Sequence, residues 1–219
     1  LILDSDGQIK RRLPALPDDG TGLVTGTAVL GRFGGPDTLM IGAVSCVGPN
    51  EGLRMWTTID LASGKIAWQR KQGAYPRKTP CVYDVNGDAA DDLIWVHGFD
   101  LRAVDGRTGD DLWAIPDVVP GYHIVTVADL DGSGTPSMLL SGGYMAIYRF
   151  DLKGNKIWET PRLDYNAGSA AALGDADGDG RLEFGTALSD RFACYDAATG
   201  KVKWEMPSPG GGSDVAAAD

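Results

Sequence analysis

Three short stretches of the chain combine carboxylates and other oxygen-bearing side chains with glycine at one shared spacing. They begin at Asp84, Asp129 and Asp175, and each offers oxygen ligands at loop positions 1, 3, 5 and 9, with a main-chain carbonyl at position 7. Ca²⁺ takes about six to eight oxygen ligands at about 2.3–2.6 Å, so nine residues spaced in this way can wrap one ion. Carboxylates crowded this closely repel one another unless a cation lies between them. The spacing therefore predicts calcium loops. The candidate ligands are Asp84, Asn86, Asp88, Ala90 and Asp92 in the first loop, Asp129, Asp131, Ser133 and Thr135 in the second, and Asp175, Asp177, Asp179, Arg181 and Glu183 in the third.

The three loops are not equally complete. The loop at Asp175 has every side-chain ligand, and the loop at Asp84 lacks only the glycine at position 6, where Ala89 stands instead. The loop at Asp129 has serine at positions 5 and 9, so we expect it to bind calcium weakly or not at all, because affinity rises with the number of charged ligands. The alternative interpretation is that all three are aspartate- and glycine-rich turns that hold no metal.

An EF-hand loop starts with the same spacing and is the obvious alternative kind of calcium site. It requires a bidentate glutamate at position 12 and a helix on each side. Position 12 is Trp95, Leu140 or Thr186 in these loops, and the flanking residues have the pattern of strands. Mg²⁺ is the weaker candidate ion because it prefers a compact octahedron that keeps several waters. The sequence therefore favours calcium loops of another type.

The loops belong to a unit that recurs along the chain. Each unit ends in an aspartate, a turn that contains glycine, and a tryptophan, and Trp68, Trp113, Trp158 and Trp204 are 45 or 46 residues apart. Within one unit, four short apolar runs are separated by turns, and no segment shows a helical period of useful length. Four strands in about 45 residues are typical of a propeller blade. The sequence therefore predicts an all-β protein, a β-propeller of four-stranded blades.

The repeat divides the chain into four full blades and two partial ones. The predicted bounds are 1–20 for a partial blade, 21–74, 75–119, 120–165 and 166–210 for full blades, and 211–219 for a second partial blade. The partial ends could complete one blade between them in a small ring. We favour a larger ring of about six to eight blades, because an array cut open exposes unpaired strand edges. The first full blade carries extra residues, from Val47 to Trp56, which we place between its second and third strands.

Composition excludes several classes of protein. The net charge of −10 argues against a nucleic-acid partner, whose phosphates require a basic surface, and it suits acidic loops that hold cations. No apolar run reaches membrane-spanning length, and because neither a signal peptide nor an initiating Met is present, we expect that the true start was removed. Cys46, Cys81 and Cys194 are an odd number without a CxxC pair, which favours buried free thiols over a disulfide framework or a zinc site.

Both halves of the unit resemble known families. The acidic loops resemble the FG-GAP (VCBS) repeat of integrin α-subunits and of bacterial surface proteins. The second half, from Ala103 to Trp113, resembles the repeat of quinoprotein (PQQ-like) propellers. The resemblance implies that calcium lies in the loop between strands one and two of a blade. It also implies that the turn between strands three and four lies on the same face, and that the tryptophans dock each blade onto the next.

The non-repeating loops form the other predicted face, which is where variable function is expected. They lie between blades and between strands two and three. The extra residues of the first full blade add Arg54 and Trp56 to this face. Aromatic rings beside cations suit an acidic sugar chain, through stacking and ion pairing, although such residues also decorate loops that bind nothing. The candidate ligand-binding residues are Tyr75, Arg77, Lys78, His97, Tyr122, His123 and Tyr165.

The sequence favours a binding module over an enzyme. We find no G-x-S-x-G, H-E-x-x-H or phosphate-binding motif. We therefore expect a calcium-stabilised propeller of a secreted, cell-surface or periplasmic protein, which binds a protein or an acidic polysaccharide or takes part in self-assembly. The alternative is a polysaccharide lyase, because bacterial rhamnogalacturonan lyases also combine a β-propeller with calcium loops and the architecture hosts many activities.

Overall fold

The structure, a computed structural model, describes residues 2–3, 6, 8–11, 23–24, 28–47, 53–72, 79–118, 123–142, 146–161 and 170–208. The regular secondary structure in these ranges is β-strand, arranged as one hairpin and four successive antiparallel sheets. The all-β class and the four-stranded blades predicted from the repeat are therefore confirmed. The predicted partial blade at 211–219 lies outside the described residues.

Each sheet follows the order of the chain. The hairpin pairs β1 (Ile2–Leu3) with β2 (Ile9–Arg11). Blade 1 contains β3 (Leu23–Val24), β4 (Val29–Gly31), β5 (Met40–Val47), β6 (Leu53–Asp60) and β7 (Ile66–Gln72). Blade 2 contains β8 (Cys81–Tyr83), β9 (Asp92–His97), β10 (Asp100–Val104) and β11 (Asp111–Ile115). Blade 3 contains β12 (Ile124–Ala128), β13 (Ser137–Ser141), β14 (Tyr148–Asp151) and β15 (Lys156–Glu159). Blade 4 contains β16 (Ala172–Gly174), β17 (Glu183–Ala187), β18 (Arg191–Asp196) and β19 (Val202–Pro207). In blade 1, β3 and β4 both pair with β5 and share the position of the first strand.

The core lies between the blades. In β9, Leu93 and Trp95 pack with residues of blade 1, whereas Ile94 and Val96 point to the opposite side and pack with residues of blade 3. Successive strand residues point to opposite faces, so a strand buried on both faces reads as a continuous apolar run. This explains why the strands of the repeat appear in the sequence as short apolar runs and not as an alternation of apolar and polar residues.

A tryptophan joins each of the first three blades to the blade that follows. The indole Nε1 of Trp68 donates to the carbonyl of Gly106 at 2.7 Å, that of Trp113 to Leu152 at 3.0 Å, and that of Trp158 to Ala198 at 2.9 Å. Each acceptor lies in the turn between strands three and four of the next blade. The predicted docking role of these three tryptophans is confirmed.

Glycine is required where the docked indole meets that turn. A β-carbon placed on Gly109 would lie 2.5 Å from the ring of Trp68, and one on Gly200 would lie 2.7 Å from the ring of Trp158. Both glycines have φ in the left-handed region, at 80° and 69°. Trp204, the last copy, is 50% exposed and lies on a strand whose residues are all exposed. It is more exposed than Trp68, which is buried, and than Trp113 and Trp158, which are partly buried.

The extra residues of blade 1 lengthen its strands instead of forming only a surface loop. β5 and β6 are paired from Met40–Asp60 to Val47–Leu53. Trp56, which we expected on the non-repeating face, is fully buried and its ring stacks on that of Trp95 at a centroid distance of 5.4 Å. That expectation is wrong, because the strand register turns Trp56 toward blade 2.

Two further sequence expectations concern thiols and membranes. Cys81 and Cys194 carry free thiols, and burial raises the pKa of both.

Within the described part of the chain, we find no helix with the length and apolarity that crossing a membrane demands.

Candidate metal centre

The first aspartate of each acidic loop organises the loop backbone. Asp175 accepts main-chain N–H groups from Gly178 and Asp179 at Oδ1 and from Gly180 at Oδ2, at 2.8, 3.1 and 2.9 Å. The carboxylate of Asp84 accepts N–H groups from the same three loop positions, and that of Asp129 accepts them from the last two. The shared spacing therefore produces one shared loop conformation in three blades.

Positions 4 and 6 of each loop need a left-handed backbone. In the third loop Gly178 and Gly180 have φ of 76° and 83°, and in the first loop Gly87 has φ of 78°. Ala89 occupies position 6 of the first loop and has φ of 66°. The left-handed conformation costs an L-residue about 1–2 kcal/mol, so the missing glycine leaves local strain in this loop.

Replacing Ala89 with glycine is expected to raise the free energy of unfolding by up to about 1.6 kcal/mol. Glycine relieves the strain of about 1–2 kcal/mol, and its greater freedom in the unfolded chain offsets about 0.4–1 kcal/mol of that gain. Urea unfolding of Ala89→Gly and of the wild type measures the difference. The matched control, Gly180→Ala, should be destabilising, and a loss of stability in Ala89→Gly would contradict the argument.

The carboxylate at position 9 ties each of two loops back onto its blade. Asp92 is buried, and it accepts the N–H of Val85 at Oδ2 and that of Gly106 at Oδ1, both at 2.9 Å. Burial raises its pKa. Glu183 is 2% exposed and accepts the N–H of Ala176 at 2.8 Å. Position 9 therefore has a structural role in addition to its predicted role as a metal ligand.

The third loop brings three carboxylates together. Oxygen atoms of Asp175, Asp177 and Glu183 all lie within 4.8 Å of one another, which is close enough to share one ion. The ammonium of Lys203 reaches the same place and donates to Asp177 at 2.5 Å and to Glu183 at 2.8 Å. Its contacts with Asp177 and Glu183 raise the pKa of Lys203 above its usual value. This group of three carboxylates and one ammonium retains excess negative charge.

The remaining predicted ligand of the third loop, Asp179, points to a different partner. Its carboxylate pairs with the guanidinium of Arg181 at 2.8 Å. That hydrogen bond holds the pKa of Asp179 below its usual value. The structure therefore brings together positions 1, 3 and 9 of this loop, and places position 5 beside an arginine.

The first loop is joined to the preceding blade by an arginine. The Nε of Arg107 donates to Asp88 at 3.0 Å, and its Nη1 donates to the carbonyl of Gly34 in blade 1 at 3.0 Å. The main-chain N–H of Ala90 is the main cause of the lowered pKa of Asp88, and Arg107 adds to it. Because Arg107 lies in the turn between strands three and four, this contact confirms that the turn and the acidic loop lie on one face.

The second loop contacts a buried arginine. Arg149 on β14 is 3% exposed, and its Nη2 donates to Asp131 at 2.6 Å while its Nε donates to the hydroxyl of Ser137 at 2.9 Å. The hydrogen bond from Arg149 is the main cause that holds the pKa of Asp131 well below its usual range, and hydrogen bonds from Ser133 add to it. Asp131 and Ser137 are positions 3 and 9 of the loop.

Sequence reasoning did not identify the three basic residues that meet the acidic loops. Arg107, Arg149 and Lys203 are separated by 19, 18 and 26 residues from the aspartates that they contact. For Arg149 the sequence did contain an indication. Arg149 stands two residues before Asp151, which opens the turn between strands three and four. The other two blades with acidic loops have Ala103 and Cys194 at this position.

The predicted ligand-binding residues lie mostly beyond the described part of the chain. Tyr75, Arg77, Lys78, Tyr122 and Tyr165 fall outside it, and His97 ends β9 without a described side chain.

His123 is described, and the structure places it in the interior. It is 1% exposed, donates from Nε2 to the carbonyl of Ala146 at 3.0 Å, and packs against the ring of Tyr148. Its burial lowers its pKa. The expectation that His123 lies on an exposed loop is wrong, because the residue leads directly into the partly buried strand β12.

Comparison with known proteins reveals likeness in structure alone. No family model and no curated protein matches the chain. Among solved structures, Saccharomyces cerevisiae Sqt1 is 13% identical over 84% of this chain and 51% of its own, with a TM-score of 0.55. The V. cholerae biofilm matrix protein Bap1 is 16% identical over 88% of this chain and 41% of its own, with a TM-score of 0.48. The Dos1 propeller is 14% identical over 78% of this chain and 44% of its own, with a TM-score of 0.42.

The likeness establishes architecture and nothing finer. The chain spans about half the length of these three proteins, or somewhat less. Four successive four-stranded antiparallel sheets, each of the first three joined to the next by a tryptophan, are the arrangement of propeller blades. The chain has the β-propeller fold.

Proposed function

We propose that this chain is a calcium-stabilised β-propeller that acts as a non-catalytic binding or assembly module for a protein or an acidic polysaccharide. It would work in a secreted, cell-surface or periplasmic protein, where calcium is plentiful. The observation that carries the proposal is the convergence of Asp175, Asp177 and Glu183 within 4.8 Å.

The chemistry of the converging group favours a hard divalent cation. Three carboxylates carry more negative charge than the single ammonium of Lys203 neutralises. Asp175 and Asp177 are exposed, so an ion can approach from solvent. Oxygen ligands in a flexible loop suit Ca²⁺ better than Mg²⁺, which demands a tighter octahedron. Calcium would neutralise the group and brace the loop against β17 through Glu183.

The distribution of repeated residues supports a binding role. The repeated elements, namely the loop aspartates and the docking tryptophans, have structural partners in the described residues. The non-repeating segments hold aromatic and basic side chains such as Tyr75, Arg77 and Lys78. Residues that neither repeat nor follow the docking pattern are the ones available to a ligand.

A melting experiment on demetallated protein tests the calcium part of the proposal. Millimolar Ca²⁺ should raise the melting temperature, because an ion that binds only the native state adds about 2.7 kcal/mol per site at about 100 times its Kd. Equal Mg²⁺ should do much less. Identical melting curves with and without Ca²⁺ would overturn the proposal.

An array of acidic and neutral polysaccharides tests the binding part on the same samples. We expect calcium-loaded protein to retain an acidic polysaccharide and to ignore its neutral counterpart. Substitution of Arg77 and Lys78 with alanine should weaken that retention without changing the melting temperature. Equal retention of acidic and neutral chains would contradict recognition by the basic residues.

A further inference from the structure

We propose that the guanidinium of Arg149 takes the place of the metal ion in the second loop, so that blade 3 is held by an internal cation while the first and third loops use calcium. The comparison with calcium rests on the proposed function for the third loop, and on the predicted ligands Asp84, Asn86, Asp88 and Asp92 for the first loop. The role of Arg149 itself rests on contacts within blade 3.

Equivalent positions in the three blades show a paired exchange of charge. Position 9 is Asp92 in blade 2 and Glu183 in blade 4, but Ser137 in blade 3. The residue two before the turn aspartate is Ala103 in blade 2 and Cys194 in blade 4, but Arg149 in blade 3. Blade 3 has therefore lost a buried acid on one strand and gained a buried base on the adjacent strand.

The geometry places the guanidinium where the loop would share an ion. Arg149 donates to Asp131 at position 3 and to Ser137 at position 9, at 2.6 and 2.9 Å. In the third loop the same two positions, Asp177 and Glu183, belong to the carboxylate group that could hold a metal. One side chain thus bridges the two positions that an ion would otherwise bridge.

The third nitrogen of Arg149 extends the bridge to the next blade. Its Nη1 donates to the carbonyl of Ala198 at 3.1 Å, which also accepts the indole N–H of Trp158 at 2.9 Å. The loop of blade 3, its third strand and the turn of blade 4 are therefore tied together by one residue.

Burial distinguishes this cation from the lysine of the third loop. The side chain of Arg149 is 4% exposed, compared with 26% for Lys203. Arginine stays protonated at all accessible pH values and binds through a rigid planar fork, whereas the ammonium of lysine is carried on a flexible four-carbon stem. A divalent ion beside the fixed guanidinium would meet a like charge at close range. The guanidinium should therefore fill the ion position of the second loop and keep calcium from binding there.

Asp131→Asn tests the proposal, with calcium stoichiometry measured by equilibrium dialysis and melting curves in Ca²⁺ and in EDTA. We expect the number of bound calcium ions to stay at the wild-type value and the melting temperature to fall by several degrees, equally in both conditions. Loss of one calcium equivalent, or an unchanged melting temperature in EDTA, would overturn the proposal. The EDTA measurement decides the role of Arg149 even if the wild-type protein binds no calcium at all.

A charge exchange supplies the converse test. Ser137→Asp combined with Arg149→Ala restores at blade 3 the arrangement of Asp92 and Ala103 in blade 2. We expect this variant to bind one calcium equivalent more than the wild type and to need calcium for its stability. If it folds and its calcium stoichiometry equals that of the wild type, Arg149 is not what keeps calcium out. If it does not fold, Asp131→Asn alone still decides between the outcomes.

Discussion

Replacing Trp68 with alanine is expected to lower the free energy of unfolding by about 3–5 kcal/mol, the usual cost of truncating a large buried aromatic side chain. Trp68 is 8% exposed and packs in the core between blades 1 and 2. Its removal opens a cavity over Gly109 and leaves the carbonyl of Gly106 without its indole donor. Chemical denaturation, followed by circular dichroism, measures the loss.

Ile66→Ala is the control, because it removes a large apolar side chain from the same strand, β7. Ile66 is 42% exposed, so its removal should cost about 1 kcal/mol, roughly half of what a fully buried large apolar side chain contributes. If the two substitutions cost the same, docking onto the following blade is not the source of the stability. A small loss for Trp68→Ala would lead to the same conclusion.

Replacing Asp177 with asparagine should remove the calcium-dependent part of the stability, about 2.7 kcal/mol at calcium concentrations near 100 times Kd. Asp177 offers a charged ligand at position 3, and the structure pairs it with Lys203. The loop backbone is organised by Asp175 instead. The variant should therefore unfold like the wild type in EDTA and become less stable than the wild type only when calcium is added.

Ser133→Ala provides the control for this experiment in the second loop. Ser133 is exposed and lies at position 5, in the loop that Arg149 already neutralises. We expect a change within about 0.5 kcal/mol in both conditions, as for most surface substitutions. If Asp177→Asn were as destabilising in EDTA as in calcium, its effect would come from the lost contact with Lys203 and not from a metal.

What the sequence predicted well depends on short-range contacts. The acidic loops were predictable because Asp84 and its equivalents bind N–H groups only three to five residues ahead. The blades were predictable because strand, turn and tryptophan recur at a fixed interval. β11 (Asp111–Ile115), for example, carries Trp113, the tryptophan of its repeat.

What the sequence did not predict depends on packing between distant segments. Trp56 is buried because the register of β5 and β6 directs it toward Trp95 in the next blade. His123 is buried because Tyr148, two strands away in blade 3, packs against it. The partners of Arg149 likewise follow from strand pairing and from contact with blade 4. The contacts of Trp56 and His123 leave no mark in local composition or periodicity, whereas Arg149 is visible as a base where the other two blades with acidic loops have Ala103 and Cys194.

The joint made by Trp68, Trp113 and Trp158 has an evolutionary consequence. The receiving turn supplies a main-chain carbonyl in all three joints, and in two of them a glycine on which the ring lies. The joint therefore places almost no demand on the other side chains of the receiving blade. A newly duplicated blade fits both of its neighbours from the moment it arises, and the array can lengthen or shorten by whole units while the loops of each copy diverge freely.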